Sequence, residues 1–222
     1  VTICTPARDA AGLLAGYWAQ LAALDWPAED LRCVVCEGDS VDYTAVLLDA
    51  WAASDARRRI VHCHTGTPHY GSVVNAGRFA VLAAVFNTAL DAVDYAWSDY
   101  VLMLPVDIHF SPLLLRRLVA HQVAIVAPLT FRDNIFYDIW AFSRHGADLP
   151  PFPAWRTAEF CGLELLEMAT VGGTALIAAD VLRDGTVRYT PEQVDRGLCA
   201  AARSQGFRVW ADPQTWVEHP VR

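Results

Sequence analysis

The stretch Asp99–Pro112 reads DYVLMLPVDIHFSP. Its first part, Tyr100–Leu104, is a short apolar run that stops at Pro105, which predicts a buried strand running out of a sheet. A single acid, Asp107, follows between Val106 and Ile108, then His109, and a leucine-rich helical pattern begins at Pro112. In open α/β sheets, ligands lie beyond the carboxyl ends of the strands. A carboxylate placed there can hold a cation, and the cation can hold a phosphate.

The same alternation extends on both sides of this stretch. Upstream, Val1–Thr5, Leu31–Cys36 and Ile60–Cys63 read as strands. Between them, apolar residues at 13, 14, 17, 18, 21 and 24 fall at helical spacing. Val46, Leu47, Ala50 and Trp51 mark a second amphipathic helix, and Val73–Ala92 a long third one after a turn-rich loop. Asp9 stands where it would cap the first helix. Downstream, Pro112–His121 reads as a helix and Val123–Ala127 as a strand. Strand and helix thus alternate about five times in the first 128 residues, which implies a mostly parallel sheet with helices on both faces.

At Leu129 the pattern changes. Residues 129–169 are proline-bearing and aromatic, with Phe131, Phe136, Tyr137, Trp140, Phe142, Phe152, Trp155 and Phe160, and read as an irregular insert of functional character. Gly172-Gly173-Thr174 leads into a strand at Ala175–Ala178. A helix over Glu192–Gln205, a strand over Arg208–Ala211 and a final Trp216-Val217-Glu218-His219 complete the chain.

With 25 acids against 17 bases, the net charge is −8, which argues against a nucleic-acid surface. An acidic protein that binds an anion needs local devices such as a metal, a few arginines or helix N-termini. No apolar stretch approaches the length of a membrane span. The expected setting is cytoplasmic, with an anchor upstream of Val1 left open. The 54% hydrophobic content supports a sizeable core. Six dispersed cysteines read as reduced, packed thiols. Cys33 and Cys36 have C-x-x-C spacing, but residues three apart on a strand face opposite sides, against a zinc site.

Eight spaced segments resemble those of the GT-A fold glycosyltransferases, which transfer sugar from a nucleotide diphosphate donor. Thr5-Pro6-Ala7-Arg8-Asp9 is similar to the opening that lines the nucleoside pocket. Val34–Ser40, with Glu37 and Asp39, resembles the segment whose acid contacts base or ribose. Gly71…Asn75-Ala76-Gly77-Arg78 is similar to the stretch whose basic residue approaches the diphosphate. Leu104–Ile108 stands in the place of the metal motif, with Pro105 where its first acid would be and Asp107 as the surviving ligand. Tyr137–Phe142 and Val171–Leu176 are similar to acceptor-side segments. Glu192–Asp195 stands in the place of the catalytic helix start, with Gln193 at the family acid. Pro213…His219 matches an end whose His completes the metal shell. The opening is like the broad inverting processive-type family; the middle and end are more like the fungal Golgi α-mannosyltransferases.

The resemblance implies one GT-A (Rossmann-like) α/β domain over 1–222, with a nucleotide-binding half at 1–128 and an acceptor-side half at 129–222. It implies a UDP- or GDP-sugar donor, a glycan or small-molecule acceptor, and Mn2+ or Mg2+ on Asp107 and His219. His109 is added because residues two apart on an extended chain share a side. Arg8 and Arg78 suit phosphate oxygens. A base that deprotonates an acceptor hydroxyl would be Asp195, Glu192 or Asp138; a retaining reaction would use no such base, and the stereochemistry stays open. Trp140, Trp155, Gly172 and Gly173 are the expected acceptor contacts. Two alternatives stay open: a degenerate sugar-nucleotide binder without turnover, favoured by Pro105 and Gln193, and a sugar nucleotidyltransferase, which would carry a Gly-rich basic loop in place of Pro6–Asp9.

Overall fold

The computed structural model describes residues 1–70, 75–144 and 146–220. Gly71 of the third resembling segment, and the expected first residues of the long helix, Val73 and Val74, lie outside them. Strands β1 (Thr2–Ala7), β2 (Arg32–Glu37), β3 (Arg58–His62) and β4 (Tyr100–Met103) run parallel in the order β3-β2-β1-β4. Helices α1 (Ala11–Ala22), α2 (Thr44–Ala53) and α3 (Ala76–Asp91) connect them. The expected α/β architecture is present.

Side chains alternate across this sheet as the strand period demands. Ile3, Val35, Leu102 and Leu104 face one core with Leu14 and Tyr17 of α1. Cys4, Val34, Val101 and Met103 face the other with Phe79, Val85 and Phe86 of α3. Buried on both faces, β4 has no solvent side, which is why it reads as an unbroken apolar run. Truncating Leu102 to Ala would cost about 2–5 kcal/mol.

Beyond β4 come β5 (His109–Phe110), α4 (Leu114–Ala120) and β6 (Ile125–Arg132). β6 runs well past the expected change at Leu129. It turns through Asp133 and Asn134, at φ 50° and 60°, into β7 (Ile135–Phe136). Two successive positive φ angles are what a two-residue hairpin turn requires. A second hairpin, β8 (Ser143–Arg144) with β9 (Ala147–Asp148), and helix α5 (Thr157–Cys161) follow. The expected irregular insert therefore carries regular structure in pieces too short to show a period.

β10 (Leu166–Met168), β11 (Ala175–Ala178), α6 (Ala179–Leu182), α7 (Asp195–Ser204) and β12 (Val209–Glu218) complete the chain. β11 inserts antiparallel between β4 and β6. β12 lies parallel to β6, with β10 antiparallel at the edge. Most strands of the order β10-β12-β6-β11-β4-β1-β2-β3 still point one way.

Two local expectations are corrected. Asp9 does not cap α1. Its Oδ1 accepts from the Val41 N–H at 2.8 Å, while the Ala11 N–H donates to Asp42 Oδ2 at 3.1 Å. On α2 the inward face is Thr44 and Leu48; Val46 and Leu47 are exposed, and Trp51 stacks on Trp18 of α1. Among the described residues, no helix is long and apolar enough to cross a membrane.

Candidate functional site

Asp107 sits in a turn just past the end of β4. After Ile108, β5 pairs antiparallel with β12, His109 opposite Glu218 and Phe110 opposite Val217. That pairing carries His219 to Asp107, with Nε2 3.5 Å from Oδ2. The His219 N–H donates to the Phe131 carbonyl at 2.8 Å, which holds the strand end against β6. His219 Nδ1 lies 3.1 Å from the Pro220 carbonyl. A carbonyl only accepts, so Nδ1 is the donor there, and Nε2 faces the carboxylate either as a lone pair or as a second N–H. Two acceptors facing each other repel unless a proton or a cation stands between them. One oxygen and one imidazole nitrogen suit Mn2+, and the carboxylate suits Mg2+. The Tyr137 ring lies against His219, with centroids 4.9 Å apart.

His109 stands apart from this pair. It is exposed on β5, and among the described residues no three His, Cys, Asp or Glu side chains converge. The alternation that would put Asp107 and His109 on one side holds only for extended chain, and Asp107 is in a turn.

A second pair of acids meets at the Gly172-Gly173 turn. The Gly173 N–H donates to Asp195 Oδ1 at 3.3 Å. A Cβ on Gly172 would meet Ala141 Cβ at 2.5 Å and Asp195 Cγ at 2.9 Å; one on Gly173 would meet Asp138 Oδ2 at 3.0 Å. Gly173 also has φ +67°, a conformation that favours glycine. Both glycines are therefore required by the closeness of the acids.

Asp195 opens α7, and the residue before it, Val194, is buried at φ 45°. A β-branched residue there is strained, and such strain collects at functional sites. A helix N-terminus would lower the pKa of Asp195. Burial outweighs that and, with the neighbouring Asp138 charge, raises it to about 7. Burial likewise raises Asp138 to about 6, against an Ala141 N–H bond and the charges of Arg196 and Arg78. Arg78 also draws on Asp195, so the positive end of the cluster comes from the start of α3. Glu192, the other candidate base, is exposed in a hollow of about 390 Å³ with Asn75, Ala76, Phe79, Ala80 and Pro191.

Trp140 packs on Phe79 at 4.8 Å and lies under the Arg196 guanidinium. Arg196 in turn bonds the Trp140 carbonyl and Asp148, the latter at 2.7 Å. Trp155 is elsewhere, beside Trp216 in a separate hollow.

At the ends of β1 and β2 the acids are already occupied. Pro6 is paired within the sheet opposite Cys36. Glu37 is buried, with Oε1 accepting from the Ser40 N–H at 2.8 Å and Oε2 3.1 Å from His62 Nδ1. Asp39 accepts from the Thr65 N–H at 2.8 Å, the Thr65 hydroxyl at 2.7 Å and the Gly66 N–H at 3.0 Å. The Thr65 bond leads the causes that lower its pKa to about 2. Arg8 donates to the Thr67 carbonyl at 2.8 Å, and its Nε is buried without a hydrogen-bond partner. Asp39 and Arg8 thus brace residues 65–67 beyond the strand ends, and Glu37 ties Ser40 to His62.

Sequence reasoning overlooked Tyr137, Val194, Arg196 and Trp216. Tyr137 was within a resembling segment; nothing in a sequence signals a positive φ at valine.

No protein-family model and no curated protein matches the chain. Solved structures do. S. aureus TarS residues 1–349, in complex with UDP-GlcNAc, superposes with a TM-score of 0.65 at 13% identity over 100% of this chain and 58% of that one. The mannosyltransferase PcManGT from Pyrobaculum calidifontis, in complex with GDP-Man and Mn2+, gives 0.64 at 16% identity over 98% of this chain and 55% of that one. The chain thus spans under two thirds of these neighbours and shares their fold.

Proposed function

We propose that the chain is a glycosyltransferase domain, 1–222, that moves a sugar from a UDP- or GDP-sugar to a glycan or small-molecule acceptor. The observation that carries this reading is His219 held with Nε2 3.5 Å from Asp107 Oδ2, at the carboxyl end of β4. The GDP-Man and Mn2+ bound by a neighbour of the same fold support it. The finer likeness to fungal Golgi α-mannosyltransferases rests on sequence segments alone. Six free thiols suit a reducing, cytoplasmic setting.

In this reading Asp107 and His219 hold Mn2+ or Mg2+, which when bound neutralises the diphosphate leaving group. Arg8 and Arg78 contact phosphate oxygens, Glu37 and Asp39 lie on the nucleoside side with Pro6, and Asp39 also orders the loop at Thr65 and Gly66. The acceptor lies against Trp140 and the Gly172-Gly173 turn. Asp195 takes the proton of the acceptor hydroxyl as that oxygen bonds to the sugar carbon; the bond to the donor phosphate breaks, and the diphosphate leaves with its electron pair. A base with a pKa near 7 is matched to neutral pH. Asp138 sets the electrostatics around it.

Calorimetric titration with UDP and GDP, each with and without Mn2+, tests the donor half. Binding of one diphosphate that requires Mn2+ and is lost in Asp107→Ala is expected. Absence of binding by either would overturn the reading. Pro105 and Gln193, where the resembling family has acids, favour a second reading: donor binding without turnover. Metal-dependent donor hydrolysis separates the two.

A further inference from the structure

The chain has eight tryptophans, and six are engaged. Trp18 and Trp51 stack on each other. Arg32, Arg196 and Arg208 cover Trp97, Trp140 and Trp210. Trp26 packs against the core. Trp155 and Trp216 differ, at 78% and 59% exposed. They come from distant segments, a 3-10 turn at Ala154–Arg156 and β12. Yet both line one hollow of about 330 Å³ with Phe131, Leu163, Pro213 and Gln214. Leaving two indoles exposed around one hollow forgoes hydrophobic stabilisation, so such a patch marks a contact surface. The volume falls among small-ligand sites, about 300–1,000 Å³.

The chemistry of the walls selects the ligand. None of the lining residues is ionisable, although the chain carries a net charge of −8. A charged ligand would be desolvated there without a counter-charge. The Gln214 amide donates to the Leu163 carbonyl at 2.6 Å, which fixes its orientation and leaves its own carbonyl oxygen to accept from a hydroxyl. Thr157, also in the lining, donates its hydroxyl to the Ala154 carbonyl at 2.7 Å and keeps acceptor capacity. Flat apolar walls with a few oriented polar atoms match a ring that has C–H faces and hydroxyl edges.

We propose that this hollow binds a neutral sugar ring, with Trp155 and Trp216 as stacking walls and Gln214 as a hydroxyl partner. It shares no lining residue with the Asp138–Asp195 turn or the Asp107–His219 pair. Trp216 precedes His219 by three positions on the same chain segment, about 10 Å of extended chain. The site requires no nucleotide and no metal, so it stands even if the donor reading fails.

The test uses the whole chain with mannotriose, maltotriose and triacetylchitotriose, and with trigalacturonic acid as the charged control. Indole N–H signals are followed by NMR, without nucleotide or Mn2+. At least one neutral trisaccharide should saturate the two signals that disappear in Trp155→Ala and Trp216→Ala. Each Ala variant should weaken binding about tenfold or more, while Trp155→Phe keeps it within about threefold. Three results would overturn the proposal: no shift with any neutral trisaccharide at about 20 mM, equal binding of the charged control, or binding that survives both Ala substitutions. Shifts that follow protein concentration alone would also overturn it, by making the hollow a contact between copies.

Discussion

Asp39 and Asp195 are the same residue type in opposite surroundings. Asp39, after β2, accepts from two backbone N–H groups and a hydroxyl, and its pKa falls to about 2. Asp195, at the start of α7, accepts a long bond of 3.3 Å from the Gly173 N–H and one from its own N–H, yet burial beside Asp138 raises it to about 7. In the first half of the chain, acids are spent on bracing a loop. In the second half, two acids meet at a turn where burial outweighs their backbone N–H bonds and nearby arginines and raises their proton affinity. A carboxylate held by many hydrogen bonds is a poor base; one whose desolvation and acidic neighbour outweigh its hydrogen bonds is a better one.

The largest expected break in this contrast is Asp195→Asn. Transfer should fall by about 10²–10⁴-fold while diphosphate affinity, measured calorimetrically, stays within about twofold. Near-normal turnover would remove Asp195 from the base role. Gly172→Ala comes next, because its Cβ would meet the Asp195 carboxyl at 2.9 Å and Ala141 at 2.5 Å. Overpacking should cost about 1–3 kcal/mol in a denaturant titration, and turnover should fall with it.

The two acids should also affect stability with opposite signs. Asp195 has its folded pKa raised, so native protein holds the proton more tightly and loses stability as pH rises from about 4 through about 7. Asp195→Asn should therefore melt higher than the parent at pH 8, by about 2–4 °C per kcal/mol recovered, and no higher at pH 4. Asp39 has its folded pKa lowered, so its contribution is present above about 4 and is lost as pH falls toward about 2. Asp39→Ala should melt lower than the parent at pH 7, and the gap should close on acidification. The smallest effect expected is that of His109→Ala, which should leave Mn2+ affinity within about twofold. A large loss would return His109 to the metal site.

Much of this was legible in the sequence. The strands and helices of residues 1–128 follow from period and apolar runs, because β1, β2 and β4 are buried and local pattern and tertiary environment agree. The resemblance chose Asp107, His219, Asp138 and Asp195, and the fold brings them together in two pairs. What stayed hidden depended on distant pairing or on backbone angle. The long β12 read as two pieces because its register with β6 breaks between Asp212 and Trp216. Nothing local in the sequence shows His62 beside Glu37. Trp155 and Trp216 lie sixty-one positions apart and meet only through the fold. Val194 read as an ordinary helix residue, since no side chain announces φ 45°.

The central claim is that the diglycine turn holds two carboxyls with raised proton affinity. Carbon-13 NMR titration of the aspartate carboxyls, in the parent and in Asp138→Asn, tests it most directly. Two carboxyls should titrate near about 6 and about 7 in the parent, and Asp195 should move down once the Asp138 charge is removed. Titration of both near the ordinary value of about 4, unchanged in Asp138→Asn, would contradict the account.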